Sequence, residues 1–323
     1  MGFGSAYVAT SFALTILAPL PAAVWRSALA AVLLSLVVVV THRTARTAAA
    51  ERIAVPPDST TRPPGQEPAM AGATNPGLLT RAVRLVVIAA FGGPIFLASM
   101  NLAVAGVGAT IASFVAGLYA VLAAVLAPLV LGERLTWRVL AGFLCALGGT
   151  ALLAELDPTA ASAGGMAWGL LAATSFALYL LLSRRWSARY RLEGSTVGLA
   201  NVTLTVVVLG GGVLATDAAT IVPSSFAPGA VVALLWLATV AALGPVLTVA
   251  AVRRIPAARS AAFLLLNPVT ATILAAILLG ERPSPLQLAG GGLVLFGMAI
   301  VTIPIGRARR GGDTEVVDLG PAG

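Results

Sequence analysis

An internal repeat constrains this chain more than any other feature of its sequence. Residues 118–153 match residues 266–301 at a spacing of 148 positions, with 15 identities in 36 residues. Each copy consists of an apolar run, a charged turn and a second apolar run, and the triplet Gly-Glu-Arg forms part of both turns, at 132–134 and 280–282. A duplication of this kind predicts a fold built from two similar units.

The composition indicates that both units lie in a membrane. Of the 323 residues, 59% are hydrophobic and 10% are charged, and the mean hydropathy is +0.97. Soluble domains carry about 25% charged residues. Apolar runs of about 20 residues recur, and each could cross roughly 30 Å of hydrocarbon as a helix whose backbone bonds internally. We therefore predict an all-α integral membrane protein.

Ten apolar segments predict ten transmembrane helices. They cover residues 2–18, 22–40, 83–104, 109–131, 139–153, 165–183, 197–215, 229–252, 257–279 and 286–305. The first segment, at about 25 Å, is short for a span, which indicates either a short first helix or a start site assigned too late. We predict that the chain divides as follows: a first repeat over 1–155, a disordered cytoplasmic loop over 41–80, a second repeat over 165–305 and a disordered cytoplasmic tail over 306–323.

The arginines predict the orientation of the chain. All 20 basic residues are arginines, and they lie mainly in alternate loops between the apolar segments. Only Arg26 and Arg282 fall on the opposite side. Because basic residues accumulate in cytoplasmic loops, this asymmetry predicts cytoplasmic termini in an inner or plasma membrane. It also accounts for the net charge of +8 without a nucleic-acid partner.

The two copies of the repeat are predicted to run in opposite directions. Five segments separate equivalent points, and five is odd, so the turn at Glu133 faces the cytoplasm while the turn at Glu281 faces outward. Inverted repeats are typical of secondary transporters that work by alternating access, with the substrate site near the middle of the membrane between the halves.

Four stretches carry a resemblance to a known family: LGERLT (131–136), LGERPS (279–284), LNPVTATILAAILLGE (266–281) and LPAAVWRSALAA (20–31). In these stretches the chain resembles the EamA-type transporters of the drug/metabolite transporter superfamily, over nearly its whole length outside 41–80 and 306–323. The resemblance implies a ten-helix secondary carrier, often an exporter of amino acids, other metabolites or drugs. The chain departs from the pattern in its short first helix and its long loop between helices two and three.

Two glutamates and one arginine are candidate functional residues with two interpretations each. Glu133 and Glu281 each precede a new helix, where a carboxylate is stabilised by about 0.3–1 kcal/mol. This favours a cap, and a gating or coupling role is the alternative. A buried arginine in a span usually marks a site, so Arg26 either contacts an anionic substrate group or the outer gate, or extends to the headgroups.

The remaining candidates lie inside the apolar segments. Tyr119 and Asn267 are equivalent under the 148-residue shift, which predicts matching depths in opposite halves. They either line the substrate cavity or join helices by hydrogen bonds. The other candidate substrate-binding residues are Asn101, Tyr179, Ser5, Tyr7 and Ser175. Prolines in the apolar runs predict kinked helices. The kinks either expose backbone carbonyl groups to a substrate or only bend the helices for packing. The prolines concerned are Pro94, Pro128, Pro245 and Pro268.

Several classes of function are not supported by the sequence. No Asp or Glu lies at the centre of an apolar segment, so we favour an exchanger or a facilitator over a proton-coupled carrier. The sequence has no P-loop motif, and with one Cys and one His we expect no enzyme, metal or cofactor. The alternatives are a multidrug or nucleotide-sugar-like carrier and a non-transport membrane scaffold. The expected partners are a small-molecule substrate and lipid, and a homodimer is left open.

Overall fold

The described part of the protein is helical. A computed structural model describes residues 2–53, 77–132, 136–153, 160–190, 192–252 and 257–302, and these residues contain no strand. The α-helices are α1 (Gly2–Ala13), α2 (Pro19–Ile53), α3 (Leu78–Ala90), α4 (Phe96–Gly117), α5 (Tyr119–Leu131), α6 (Trp137–Leu153), α7 (Ala160–Tyr190), α8 (Gly194–Thr205), α9 (Gly211–Asp217), α10 (Pro228–Val252), α11 (Ala257–Leu278) and α12 (Pro285–Thr302). Short π-helices, Phe91–Ile95 and Val206–Gly210, join α3 to α4 and α8 to α9.

The helices are apolar enough for a membrane, as the composition predicts. Within the described residues, four stretches have the length and hydropathy to cross a membrane: Pro19–Val37, Leu78–Leu131, Ala163–Trp186 and Gly194–Ile221. Shorter apolar helices are Trp137–Leu152, Pro228–Gly244, Asn267–Leu278 and Pro285–Val301. The chain is thus an all-α, multi-pass membrane protein.

A glycine divides the longest apolar stretch. Leu78–Leu131 has 54 residues, about 80 Å as one helix and therefore more than twice the thickness of the hydrocarbon core. Gly108 interrupts it with φ 77° and ψ 171°, inside α4. Residues other than glycine rarely adopt this conformation. The break falls between the third and fourth predicted segments, so residues 96–107 and 109–117 of α4 belong to different segments.

Three helix boundaries around the first two predicted segments and the loop 41–80 differ from the sequence prediction. Helix α2 continues to Ile53 and α3 begins at Leu78, so both ends of the predicted disordered loop 41–80 are helical. The alanines around position 48 favour helix, and the prediction gave them too little weight. Helix α1 ends at Ala13, before the predicted end at residue 18. The rest of the loop, 54–76, and the tail 306–323 lie outside the described residues.

The predicted prolines have different local effects. Pro94 lies within the π-helix Phe91–Ile95. Proline has no backbone N–H group to donate, and the hydrogen-bond pattern of a π-helix already differs from that of an α-helix. Pro128 lies within α5, and Pro268 lies buried within α11. Helix α10 continues through Pro245.

Helices α6 and α12 pack closely and antiparallel through glycines. A Cβ atom added to Gly142 would lie 2.7 Å from the carbonyl oxygen of Gly297, and one on Gly149 would lie 2.6 Å from that of Gly290. Glycine therefore permits an approach that any side chain would prevent. The shift of 148 positions converts the pair 142/297 into the pair 290/149. This contact is thus locally two-fold symmetric, as two units of opposite orientation require.

Buried side chains from both halves form the core. One apolar cluster combines residues of α1, α2 and α4 with residues of α10 and α11, and a second combines α4, α5 and α6 with α7 and α12. The core therefore lies between the two sequence repeats as well as within each.

Candidate functional site

Tyr119 and Asn267 meet between the two repeats. Tyr119 opens α5 and is buried, and its hydroxyl group is hydrogen-bonded to the Asn267 side chain of α11. Tyr119 lies ten residues after residue 109, where helix resumes beyond the break at Gly108. Asn267 lies ten residues after Ala257, the first residue of α11. Ten residues correspond to about 15 Å, or half the thickness of the hydrocarbon core. The structure thus brings the two equivalent residues into direct contact.

Tyr7 and Arg26 extend this polar group. The Tyr7 hydroxyl on α1 lies close enough to Tyr119 and to the Arg26 guanidinium for electrostatic interaction with both. Arg26 on α2 is only 4% exposed, so its guanidinium lies inside the protein and does not extend to the surface. Its Nε and Nη1 atoms are buried without a hydrogen-bond partner. Four of the predicted residues therefore form one cluster, which we call the central cluster: Tyr7, Arg26, Tyr119 and Asn267.

Aromatic rings form one side of the central cluster. Phe176 on α7 meets Tyr119 edge to face, with ring centroids 4.9 Å apart. The same ring lies 4.8 Å from Phe96 and 5.4 Å from Tyr179. Contacts of this geometry fix ring orientation and leave apolar faces beside the polar groups. Phe96 and Phe176 are not polar, so a search for polar residues inside the spans did not find them.

A second polar group surrounds the π-helix Phe91–Ile95. The Ser175 hydroxyl group donates a hydrogen bond of 2.7 Å to the carbonyl oxygen of Phe91, which supplies a donor where the helix pattern is disturbed. Tyr179 lies beside Asn201 and Ser183. Asn201 keeps a buried Oδ1 atom without a partner. Asn201 is not among the residues predicted from the sequence, although an amide within the apolar run 197–215 is a signal that could identify it.

Two further candidates join neighbouring helices by hydrogen bonds. The Trp236 indole N–H on α10 donates to the Ser5 hydroxyl group of α1 at 2.9 Å. The Asn101 side-chain NH₂ group on α4 donates to the Pro19 carbonyl oxygen of α2 at 2.9 Å. These contacts fit the interhelical role that was the alternative for polar residues in spans.

Glu281 caps a helix of the opposite repeat. Its two carboxylate oxygens accept hydrogen bonds from the backbone N–H groups of Ala109 (2.9 Å) and Thr110 (3.1 Å), directly after the break at Gly108. The sequence placed this carboxylate before the next helix, α12. That helix is capped instead by Ser284 and Gln287, which exchange two 3.1 Å hydrogen bonds in the arrangement of a capping box. Glu133, the equivalent residue, lies outside the described residues.

Among the described residues, no three His, Cys, Asp or Glu side chains are grouped so that they could hold a metal ion. The central cluster contains one cationic group, two phenol hydroxyls and one amide. Groups of this kind can bind an anionic or hydrogen-bonding molecule, and the cluster contains no nucleophile paired with a base.

Comparison with known proteins agrees with this architecture. The EamA-like transporter family matches residues 1–154 and 163–303. An uncharacterized protein of Pseudomonas aeruginosa is 33% identical over 189 residues, which cover 58% of this chain and 63% of that protein. A probable terminal-alkyne amino-acid exporter of Streptantibioticus cattleyicolor is 32% identical over 211 residues, covering 62% of this chain and 66% of that protein.

The matched regions therefore span slightly less than two thirds of either relative. A solved structure described as "Crystal structure of protein" superimposes with a TM-score of 0.57 at 17% identity, covering 93% of this chain and 92% of that chain. At this identity the likeness concerns the fold alone.

Proposed function

The chain belongs to the EamA-like transporter family, and from this membership we propose that it is a secondary transporter that exports a small metabolite by alternating access. The observation that carries the proposal is the hydrogen bond between Tyr119 and Asn267, which are equivalent residues of the two repeats. The similarity to a probable terminal-alkyne amino-acid exporter supports export as the direction. The distribution of arginines supports a plasma or inner membrane with both termini in the cytoplasm.

The contact between two equivalent residues supports a substrate site between the repeats. When two inverted halves exchange conformations, a site on their pseudo-symmetry axis is reached first from one side and then from the other. The antiparallel contact of α6 and α12 provides a second point on the same axis, because its two glycine pairs are exchanged by the repeat. The central cluster is accordingly our proposed substrate site.

The Glu281 cap is the proposed gate on the outer side. It ties the turn after α11 to residues 109 and 110 of the opposite repeat through two hydrogen bonds. Opening the outer side has to separate these elements, at a cost of about 1 kcal/mol for a cap of this kind. This cost is small enough for substrate binding to overcome.

The energy source is proposed to be the substrate gradient or an exchanged solute. Among the described side chains, carboxylates occur only at Glu193, Asp217 and Glu281, all near the ends of helical runs. The described spans thus offer no mid-membrane carboxylate as a proton carrier, which favours a facilitator or an exchanger.

Comparative metabolite profiling of cells and medium tests the proposal. The intact chain is produced beside a Tyr119→Ala/Asn267→Ala variant and a Thr174→Ala/Thr239→Ala control at equal membrane levels. Both control residues are half-buried, and each hydroxyl group bonds to a carbonyl oxygen of its own helix. We expect a compound that accumulates outside with the intact chain and the control but not with the site variant. If all three proteins export the same compounds equally, the central cluster is not the substrate site. If none of them exports a compound, the proposal of transport is contradicted.

A further inference from the structure

Arg26 carries a buried charge for which the described side chains offer no counterion. Its side chain is 4% exposed, and the Nε and Nη1 atoms have no hydrogen-bond partner. A buried guanidinium without a partner is costly to a fold, because neither water nor an opposite charge compensates for its desolvation. Within a membrane-spanning segment, such a group usually marks a binding site or a charged partner.

The neighbours of Arg26 do not neutralise it. Its electrostatic partner is the Tyr7 hydroxyl, which is a neutral group. Of the described carboxylates, Glu281 is occupied by the N–H groups of Ala109 and Thr110. Glu193 and Asp217 lie at the start of α8 and the end of α9. None of the described side chains therefore supplies the opposite charge, which leaves a place for an anionic bound molecule.

We propose that Arg26 binds the carboxylate of the transported substrate, which is a monocarboxylate with an apolar or aromatic body. This inference rests on the proposed function and specifies its substrate class. A guanidinium binds a carboxylate through either the Nη1–Nη2 edge or the Nε–Nη2 edge. Each edge includes one of the two unpartnered nitrogens, so either edge has a free donor for the carboxylate.

The surroundings of Arg26 define the rest of the substrate. Tyr7 connects Arg26 to Tyr119, whose ring meets Phe176, and Phe176 in turn contacts Phe96. These rings offer an apolar surface on which an apolar or aromatic substrate body would pack. One guanidinium balances one negative charge, so the cluster favours a monoanion or a zwitterion. It disfavours organic cations, which Arg26 repels.

A binding experiment on the purified full chain in detergent tests this assignment. Four probes share a phenyl group and differ in charge: 3-phenylpropionate, L-phenylalanine, L-phenylalaninamide and phenethylamine. We expect the two carboxylates to raise the unfolding temperature of the unaltered protein and the amide and amine to leave it unchanged. The comparison of the two carboxylates tells whether the α-amino group contributes. An equal effect of all four probes, or no effect of either carboxylate, would overturn the proposal.

Variants at position 26 provide the second arm. Arg26→Met should weaken carboxylate binding about 30-fold or more, the effect of truncating one partner of a buried charge pair. Arg26→Lys keeps the positive charge but lacks the two parallel N–H donors of a guanidinium, so it should bind carboxylates more weakly than the unaltered protein does. The control is Ser27→Ala, the adjacent buried residue without a hydrogen-bond partner, which should bind carboxylates normally. Undiminished carboxylate binding by Arg26→Met would contradict the proposal.

The stability of the ligand-free variants separates a binding role from a structural one. If Arg26 serves the substrate, Arg26→Met removes an uncompensated charge and should unfold at the same or a higher temperature. A clear decrease would assign Arg26 to the fold and would count against the inference. The comparison among the four probes on the unaltered protein does not depend on any variant and remains decisive if one fails to fold.

Efflux from proteoliposomes distinguishes this inference from the proposed function. The vesicles are loaded with an equimolar mixture of the same four probes. Efflux of the carboxylates that Arg26→Met abolishes supports both proposals. Efflux of the amide or amine that is indifferent to Arg26→Met would retain transport and refute the substrate class. Arg26-dependent carboxylate binding without efflux would retain the inference and refute transport.

Discussion

At the scale of single residues, Tyr119 and Asn267 show what a repeat can predict. Their equivalence follows from a shift of 148 positions, and the structure joins them by a hydrogen bond. The partners of Tyr119 from unrelated positions, such as Phe176 on α7, could not be predicted in this way. Their contact depends on how α7 packs against α5, which no local pattern in the sequence encodes.

The hydrogen bond between these residues should be measurable by a double-mutant cycle. Tyr119→Phe removes the hydroxyl group, and Asn267→Ala removes its partner. We expect a coupling of about 0.6 kcal/mol, with about 2 kcal/mol as the upper range for a hydrogen bond between membrane helices. The measurement is the free energy of unfolding of both single variants and the double variant in detergent. Thr174→Ala, whose hydroxyl group bonds to the Leu170 carbonyl oxygen of its own helix, serves as the uncoupled reference. A Tyr119–Asn267 coupling no larger than this reference would contradict the assignment.

At the scale of helices, the Glu281 cap shows what local sequence patterns cannot predict. A carboxylate at the end of an apolar run predicts a cap, and the sequence context suggested the helix that follows it. The helix that Glu281 caps begins 172 positions earlier, after the break at Gly108. That partner depends on the antiparallel approach of the two repeats. The break itself could be predicted approximately, because the apolar stretch was too long for one span.

Neutralising Glu281 should change the transport rate by more than the accompanying small loss of stability would explain. Glu281→Gln keeps the shape but removes the charge and one of the two good acceptors, so we expect a loss of about 1 kcal/mol. Gln287→Ala breaks the capping box of α12 and should cost a similar amount. Thermal unfolding and efflux are measured for both. Only Glu281→Gln should change the efflux rate, because only Glu281 joins the two repeats; equal efflux from both variants would refute the gate.

At the scale of the whole molecule, the sequence predicted more of the architecture than of the site. The all-helical membrane fold follows from composition and run length. The orientation of the termini and the domain limits 1–155 and 165–305 remain predictions. The prediction of a disordered loop over 41–80 was wrong at both ends, which are helical. The prolines in the middle of this stretch indicated disorder, whereas the alanines before them favour helix. The aromatic side of the site was not predictable, because apolar rings in an apolar chain carry no distinguishing signal.

The α6–α12 contact should be intolerant of added volume. A Cβ atom at Gly297 would lie 2.5 Å from the carbonyl oxygen of Gly142, so Gly297→Ala should separate the helices and cost about 1–3 kcal/mol. Gly292 on the same helix is exposed and has nothing within 4 Å of such an atom. Gly292→Ala should therefore be neutral or stabilising by up to about 1 kcal/mol. Thermal unfolding in detergent compares them, and equal unfolding temperatures would refute the contact.

The central claim is that one site between the repeats is reached in turn from each side of the membrane. The single cysteine, Cys145, makes a direct measurement practical. Cys145→Ala combined with Phe96→Cys places one thiol beside Phe176 at the proposed site, and Cys145→Ala alone is the control. A membrane-impermeant thiol reagent is applied to right-side-out and to inverted vesicles. Alternating access predicts labelling from both sides, slowed from both by an exported carboxylate, whereas labelling from one side only or from neither would contradict it.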